Sequence, residues 1–247
     1  MIVFLHGWLM DPSMWAPAMA RLDPAHRTLA LRQPAHGGES GPAAPWSMAD
    51  WAAWAEHRIA AAGDEPLILV GHSMGGMLAQ ALAARRKPAG LVLVGTTAEA
   101  WPPEVHQAWL GLVAAAEHAW SPDLADQIAP MLMGQAFLSD RPDWRARWAG
   151  EVQGWDRTGM SNLAAAVAGR PDMSEATGSL GVPTLVVHGE ADVAIPLAAG
   201  RDLAGLTGGD FLALPGVGHC PPLEAPDAFA EALAAFVART TRDPHVR

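Results

Sequence analysis

Short apolar runs alternate along the chain with longer segments in which hydrophobic residues recur at helical spacing. The apolar runs predict six β-strands, at Ile2–His6, Thr28–Leu31, Leu67–Val70, Leu91–Val94, Thr184–Val187 and Phe211–Leu214. The periodic segments predict helices near Met14–Arg21, Met48–Ala62, Met74–Arg86, Leu197–Leu206 and Asp227–Ala238. Apolar runs without polar alternation are typical of parallel strands that are covered on both faces. The pattern therefore predicts an α/β fold in which helices flank a mostly parallel sheet of about six strands.

The alternation is interrupted once, between residues 96 and 181. This segment has no convincing strand pattern, and Pro and Gly separate its amphipathic helical stretches. We therefore predict a core formed by residues 1–95 and 182–247, and a helical cap formed by residues 96–181 and inserted after the fourth strand.

Six of the eleven tryptophans fall within the predicted cap: Trp101, Trp109, Trp120, Trp144, Trp148 and Trp155. Large aromatic rings of this kind either pack a small core inside the cap or line a pocket beneath it. The candidates for substrate contact are Trp101, Trp120, Trp144 and Trp155.

Composition narrows the possible partners. The chain of 247 residues has a formal charge of −10, and its densest basic run is Arg85-Arg86-Lys87. Nucleic acid and anionic membranes are therefore not expected as partners.

The single cysteine, Cys220, cannot form an intramolecular disulfide and favours a cytoplasmic location. Residues 1–5 are interpreted as a strand and not as a signal peptide, and no apolar stretch reaches the roughly 18 residues that span a bilayer.

The strongest candidate for chemistry is the pentapeptide Gly71-His72-Ser73-Met74-Gly75. It lies between the third predicted strand and a predicted helix, and a serine flanked by glycines on such a turn is the arrangement that exposes a nucleophilic hydroxyl. Glycine fits on either side because the tight turn leaves little room for a Cβ atom. Ser73 is therefore the candidate nucleophile.

A serine nucleophile needs a base, and the base needs a carboxylate that orients it. Asp192 follows the fifth predicted strand, and His219 follows the sixth. Since the carboxyl ends of parallel strands meet at one edge of a sheet, both side chains are expected to lie near Ser73. Glu190 is only two residues from Asp192 and is the alternative acid.

Five motifs extend over most of the chain: His6-Gly7-Trp8, Pro34-Ala35-His36-Gly37, Gly71-His72-Ser73-Met74-Gly75-Gly76, Gly189-Glu190-Ala191-Asp192 and Gly218-His219-Cys220-Pro221-Pro222-Leu223-Glu224. In these motifs and in the order Ser73, Asp192, His219, the chain resembles the α/β-hydrolase superfamily. Within the superfamily it resembles the capped esterase and lactonase branch, which includes 3-oxoadipate enol-lactonase-like and carboxylesterase-like proteins.

The resemblance implies a role for each residue. Ser73 would attack an acyl carbon, His219 would take its proton and later return it to the leaving group, and Asp192 would stabilise the imidazolium. The backbone N–H groups of Trp8 and Met74 would form the oxyanion hole.

Three further histidines are candidates for substrate contact, although each also has a structural interpretation. His72 is expected to support the turn that carries Ser73, whereas His6 and His36 are expected to bond backbone groups near the oxyanion loop. Glu224 is expected to tie its own loop to the backbone. The histidines lack metal-ligand spacing and there is no cysteine pair, so neither a metal nor a cofactor is predicted.

Two features depart from the family pattern. The family usually opens with a two-stranded antiparallel hairpin, whereas this chain starts on what would be the third strand. One edge of the sheet is therefore expected to be short. An exposed edge can pair with a second copy, so both a monomer and a homodimer are considered.

The second departure is a loop motif: Arg32-Gln33-Pro34-Ala35 replaces the usual Asp-x-Pro-Gly. Because alanine adopts positive φ only at a cost, this loop is expected to run differently.

The resemblance implies hydrolysis of a carboxylic ester or lactone, and the tryptophan-rich cap favours an apolar small-molecule substrate with water as the second reactant. The same triad also serves carbon–carbon bond hydrolases, acyltransferases, perhydrolases and lyases. A receptor that binds a ligand with vestigial turnover is a further alternative. The residues alone leave these alternatives open.

Overall fold

The computed structural model describes residues 1–63 and 65–242. This part of the chain contains one sheet of six strands, in which every neighbouring pair is parallel. The strands are β1 (Ile2–Leu5), β2 (Thr28–Leu31), β3 (Ile68–His72), β4 (Gly90–Val94), β5 (Thr184–Gly189) and β6 (Asp210–Leu214). The predicted α/β fold is thus confirmed, and all six predicted strands are present.

The strand order is β2-β1-β3-β4-β5-β6. The chain passes from β1 to the edge strand β2 and returns to the other side of β1 to form β3, so that Ile2 pairs with Thr28 on one side and with Ile68 on the other. The order of the strands therefore reverses between β1 and β3. Ligands of open α/β sheets bind beyond the carboxyl ends of the strands at such a reversal, and the segments that leave the sheet there are Gly7-Trp8 and Ser73-Met74.

Helices flank the sheet and form the insertion between β4 and β5. The α-helices of the described residues are α1 (Ala16–Met19), α2 (Met48–Ala60), α3 (Met74–Arg86), α4 (Pro103–His118), α5 (Pro122–Leu132), α6 (Gln135–Asp140), α7 (Trp144–Gln153), α8 (Arg157–Ala168), α9 (Ser174–Gly178), α10 (Leu197–Thr207), α11 (Pro221–Glu224) and α12 (Pro226–Arg242). Helix α3 packs against β1, β3 and β4, and α10 packs against β5 and β6. Of these described helices, none is both long and apolar enough to cross a membrane.

Residues 96–181, which we call the helical insertion, contain α4 to α9 and no strand, and all of them are described. Several hydrogen bonds tie the insertion to the rest of the chain, and two of them involve tryptophans. The indole N–H of Trp148 donates to the carbonyl of Leu9 at 2.8 Å, and the backbone N–H of Trp46 donates to the carbonyl of Asn162 at 3.1 Å. The insertion is therefore bonded directly to the loop that follows β1.

The loop that contains Ala35 has an unusual backbone conformation. Ala35 adopts a φ of 69°, the left-handed conformation that alanine is expected to avoid. Its methyl group is fully buried, and Gln33 fixes the loop by donating from its backbone N–H to Nε2 of His6 at 3.1 Å and from its side chain to the His6 carbonyl at 2.5 Å. Ala35 thus adopts positive φ despite a conformational cost of about 1–2 kcal/mol, which burial and these contacts offset.

The start of α3 packs directly against the end of β1 at Gly75. A Cβ atom on Gly75 would lie 2.2 Å from the carbonyl oxygen of Leu5 and 2.5 Å from that of His6. Both neighbours are backbone atoms, which cannot move aside as a side chain can. This crossing fixes the position of Ser73, two residues earlier.

We predict that Gly75→Ala lowers the free energy of unfolding by about 3 kcal/mol or more, because the added methyl group forces two main-chain segments apart. Gly205→Ala is the matched control, since Gly205 lies in α10 and a Cβ atom there meets nothing within 4 Å. This control should gain about 0.5–1 kcal/mol from the better helix propensity of alanine. Urea unfolding measures both values, and a Gly75→Ala variant as stable as the parent would contradict the prediction.

Candidate active site

Ser73 lies on a strained turn between β3 and α3. Its φ of 52° and ψ of −119° fall outside the regions that L-residues normally occupy, and strain of this kind is concentrated at functional sites. The backbone N–H of Ser73 donates to the carbonyl of Val94 at 2.9 Å, and the hydroxyl of Thr96 donates to the Ser73 carbonyl at 2.8 Å. Ser73 occupies the N-cap position of α3, yet its hydroxyl makes no capping hydrogen bond. The hydroxyl is therefore not used to stabilise the helix.

His219 and Asp192 meet, as the order of the strands predicts. Nδ1 of His219 lies 2.8 Å from Oδ2 of Asp192, and both side chains are buried. The loops that carry them are joined, because the backbone N–H of Ala191 donates to the carbonyl of Val217 at 2.8 Å. His219 and Ser73 line the same cavity. The structure therefore brings the three predicted residues to one place.

Asp192 is held in its ionised form. Burial alone raises the pKa of this carboxyl, but the charge of His219, hydrogen bonds from His188 and His219, and the N–H of Ile195 lower it more strongly. The net effect holds the pKa of Asp192 well below its ordinary value. Glu190, the alternative acid, is exposed, and the carboxylate that contacts His219 belongs to Asp192.

Glu224 fixes the loop that carries His219. Its carboxylate accepts hydrogen bonds from the backbone N–H groups of Gly218 at 2.8 Å and Cys220 at 2.9 Å, on either side of the histidine. It also accepts one from Gly134 of the helical insertion at 3.0 Å. The predicted structural role of Glu224 is confirmed, and the same carboxylate joins this loop to the insertion.

The candidates for the oxyanion hole flank Ser73. Trp8 and Met74 both line the cavity together with Ser73. A Cβ atom on Gly7 would lie only 3.3 Å from Cβ of Ser73 and 2.7 Å from Nδ1 of His72. The absence of a side chain at Gly7 thus lets the backbone leaving β1 lie against the turn that carries the serine.

The cavity has a volume of about 560 Å³ and a mostly apolar wall. Besides His219, its charged or titratable lining residues are Glu99 and Asp202, and among the described residues no Lys or Arg lines it. Arg170 lies behind the wall, with its guanidinium 4.6 Å from the ring centroid of Trp101. Burial lowers the pKa of this guanidinium to about 10, against the opposing effect of Asp172.

Two tryptophans of the insertion line the cavity, Trp101 and Trp109. Together with Trp8 they form an edge-to-face series, in which Trp109 lies 4.8 Å from Trp8 and 5.5 Å from Trp101 between ring centroids. The sequence predicts a substrate contact at Trp101 but not at Trp109. The helical pattern alone does not indicate which face of α4 looks towards the sheet.

The sequence also predicts substrate contacts at Trp120, Trp144 and Trp155, but these three rings do not line the cavity. Trp144 stacks on Trp148 at 5.3 Å, and Trp120 packs edge-on against Trp148 at 5.5 Å. Trp155 packs against His36 at 5.5 Å. Their positions support a packing role. Trp120 and Trp144 also hold Trp148, whose indole N–H bonds the loop after β1.

His6, His36 and His72 are buried and do not line the cavity. Each bonds a backbone carbonyl through one ring nitrogen: His6 to Gly7 at 2.9 Å, His36 to Pro34 at 2.8 Å and His72 to His219 at 2.8 Å. Each of these histidines therefore makes a backbone contact of the kind that the structural interpretation expects, and His72 supports the backbone of His219 itself.

Burial keeps these three histidines neutral. It lowers the pKa of His36 to about 4 and that of His72 to about 3, and it lowers the pKa of His6 well below its ordinary value. Proximity to a second histidine, His36 for His6 and His219 for His72, disfavours protonation further and lowers both pKa values. Within residues 1–63 and 65–242, no group of three His, Cys, Asp or Glu side chains is arranged to hold a metal ion.

The chain belongs to the α/β hydrolase family. The model of that family, the "Alpha/beta hydrolase family", matches residues 2–232. This range includes Ser73, Asp192 and His219, together with the whole sheet.

Individual relatives match over nearly the whole chain. The pimeloyl-[acyl-carrier protein] methyl ester esterase of Pectobacterium carotovorum is 27% identical over 253 residues, which cover 95% of this chain and 93% of the relative. The non-heme chloroperoxidase of Burkholderia pyrrocinia is 28% identical, with 96% and 91% covered. The solved structure of the enol-lactonase from Burkholderia xenovorans has a TM-score of 0.84 at 26% identity, with 96% of this chain and 90% of that chain covered. The predicted resemblance to the esterase and lactonase branch is thus confirmed.

We predict that acid destabilises the fold partly through His36. In the unfolded chain a histidine binds a proton near pH 6.5, whereas in the folded protein the pKa of His36 is about 4. Between these values the unfolded state holds more protons, so the free energy of unfolding falls as the pH falls, by about 1.4 kcal/mol per pH unit for each such histidine. His36→Gln should reduce this slope by about that amount.

Urea unfolding at several pH values between 6.5 and 4.5 measures the slope. His118→Gln is the control, because the side chain of His118 is 74% exposed, and its slope should equal that of the parent. A slope unchanged by His36→Gln would contradict the prediction.

Proposed function

We propose that this protein is a serine hydrolase that cleaves a carboxylic ester or lactone through Ser73, His219 and Asp192. The observation that carries the proposal is the 2.8 Å contact between Nδ1 of His219 and Oδ2 of Asp192, at a cavity that His219 shares with Ser73. Membership of the α/β hydrolase family and similarity to a methyl ester esterase and an enol-lactonase support it.

In the acylation step, Oγ of Ser73 attacks the carbonyl carbon of the substrate while Nε2 of His219 accepts the hydroxyl proton. The imidazolium that forms is stabilised by the carboxylate of Asp192. His219 then gives the proton to the departing alkoxide, which leaves as the alcohol, or as the ring-opened hydroxyl of a lactone. In deacylation, water attacks the acyl carbon while His219 takes one of its protons. The bond between the acyl carbon and Oγ of Ser73 then breaks, His219 returns the proton to Oγ, and the carboxylic acid leaves.

The negative charge that develops on the carbonyl oxygen needs two donors. The proposed donors are the backbone N–H groups of Trp8 and Met74, and Met74 begins α3, whose N-terminal partial positive charge adds to the effect. Each such donor typically contributes about 3–4 kcal/mol to the transition state. Because both are main-chain groups, the glycines that hold the two backbones together contribute to the chemistry without contacting substrate.

The cavity favours an apolar substrate, because Trp8, Trp101 and Trp109 contribute to a largely apolar wall. Apolar surface that leaves water on binding contributes roughly 25 cal/mol per Å². The helical insertion, which supplies most of this wall, is proposed to act as a cap that selects the substrate.

We predict that Ser73→Ala lowers kcat/KM for p-nitrophenyl esters by about 10⁴-fold or more, because no other hydroxyl takes the place of the nucleophile. The assay uses esters of graded acyl length together with aliphatic and aromatic lactones. Circular dichroism checks that the variant is folded, and Ser13→Ala, which removes an exposed hydroxyl outside the cavity, should keep the activity of the parent. Hydrolysis by Ser73→Ala within tenfold of the parent would rule out Ser73 as the nucleophile.

We also predict that Trp109→Ala changes substrate preference. Loss of the indole enlarges the cavity, so the ratio of kcat/KM for a long-chain ester to that for a short-chain ester should shift by about tenfold, which corresponds to about 1.4 kcal/mol. Trp120→Ala deletes the same volume outside the cavity and should lower the melting temperature without changing this ratio. Equal shifts in the two variants would contradict the assignment of the cavity as the substrate site.

A further inference from the structure

His188, in β5, is fully buried beside Asp192, and the mechanism above gives it no role. Its Nε2 lies 2.9 Å from the carbonyl oxygen of Ile195 and 3.3 Å from Oδ2 of Asp192. A carbonyl oxygen only accepts hydrogen bonds, so Nε2 must carry the hydrogen. This N–H donates to Ile195 and has the carboxylate of Asp192 as a second acceptor.

The carboxylate of Asp192 is surrounded by donors on both oxygens. Oδ1 accepts from the backbone N–H groups of Ala194 at 2.8 Å and Ile195 at 2.9 Å. Oδ2 faces His219 at 2.8 Å and His188 at 3.3 Å. Only Oδ2 serves the base, so the carboxylate must not rotate if the contact with His219 is to persist.

The ring of His188 is itself held in place. A Cβ atom on Gly200 of α10 would lie 2.5 Å from Nδ1 of His188, so the helix backbone closes off this side of the ring. Nδ1 is buried and has no hydrogen-bond partner among the described residues. Leaving a buried polar atom without a partner costs free energy, and an apolar side chain of similar size would fill the same space without that cost. The polar contact at Nε2 is the feature that a space-filling role does not explain.

We infer that His188 is a positioning residue for the proposed hydrolysis: its Nε2–H aligns the carboxylate of Asp192 with His219. The same N–H holds the segment from Asp192 to Ile195, and Ala194 and Ile195 both line the cavity. His188 therefore connects the orientation of the acid to one wall of the substrate site. This inference rests on the proposed function of Ser73, Asp192 and His219.

Two substitutions separate the hydrogen bond from the volume of the side chain. His188→Gln keeps an N–H donor near the position of Nε2, whereas His188→Met fills a similar space without a donor. His188→Met is expected to lower kcat for a p-nitrophenyl ester by about 10- to 100-fold, the range of a hydrogen bond to a charged group, with KM within about threefold of the parent. His188→Gln should stay within about fivefold of the parent. If His188→Met does not fold, His188→Asn serves in its place, because its shorter amide cannot reach the carboxylate.

A double-mutant cycle with Asp192→Asn tests whether the effect passes through the acid. If His188 acts by aligning Asp192, the loss caused by His188→Met should shrink to less than about twofold in the Asp192→Asn background. A loss of equal size in both backgrounds would show a general structural effect and overturn the inference. A His188→Met variant within twofold of the parent would overturn it as well.

The rate at which a fluorophosphonate labels Ser73 is a second measurement, and it does not depend on which ester is chosen. If the parent neither labels nor hydrolyses any ester, the proposed function fails. If the parent labels and hydrolyses, but His188→Met and the parent label at the same rate, only the inference about His188 fails.

Discussion

A contact between backbones at the reversal of strand order determines where the rest of the site lies. Gly75 packs against the carbonyl groups that end β1, and a Cβ atom on Gly71 would lie 2.4 Å from the carbonyl oxygen of Gly75. Because no side chain separates these segments, the turn that carries Ser73 and the loop that carries Trp8 lie side by side. Only glycine leaves room for this close approach of the backbones, and the polar contacts of the site depend on it.

The candidate site contains one carboxylate that stays ionised, Asp192, together with buried histidines that stay neutral. Asp192 is ionised because donors surround both of its oxygens, whereas burial keeps His36 and His72 uncharged. Neutral histidines can hold backbone carbonyls next to the reacting groups without competing for the carboxylate. In this arrangement His219 is the ring that both contacts Asp192 and reaches the cavity, so the proton transfers of the proposed reaction are directed to a single side chain.

The sequence predicted the sheet and the Ser73, Asp192 and His219 constellation because these depend on features that are local in the chain: apolar runs, glycine-flanked turns and loops that follow strands. It did not indicate that Trp109 and not Trp120 reaches the cavity, because the face that a helix turns inward is decided by tertiary packing. Ala35 shows the same limit for the backbone, since burial and hydrogen bonds from distant residues override its conformational preference. The contact of His188 with Asp192 has no sequence signal, because a buried histidine within a strand is usually a core residue.

In the proposed mechanism, the hydrogen bond from Trp148 to the Leu9 carbonyl would give the helical insertion an influence on reaction rate as well as on selectivity. Leu9 directly follows Trp8, whose N–H is a proposed oxyanion donor, and Trp148 is held by its stacking on Trp144. The insertion is therefore not an interchangeable module that can be exchanged among related hydrolases to alter specificity alone. A chimera that replaces these helices without a donor to this carbonyl would also loosen the loop of the proposed oxyanion donor, so a change in substrate range would come with a loss of turnover.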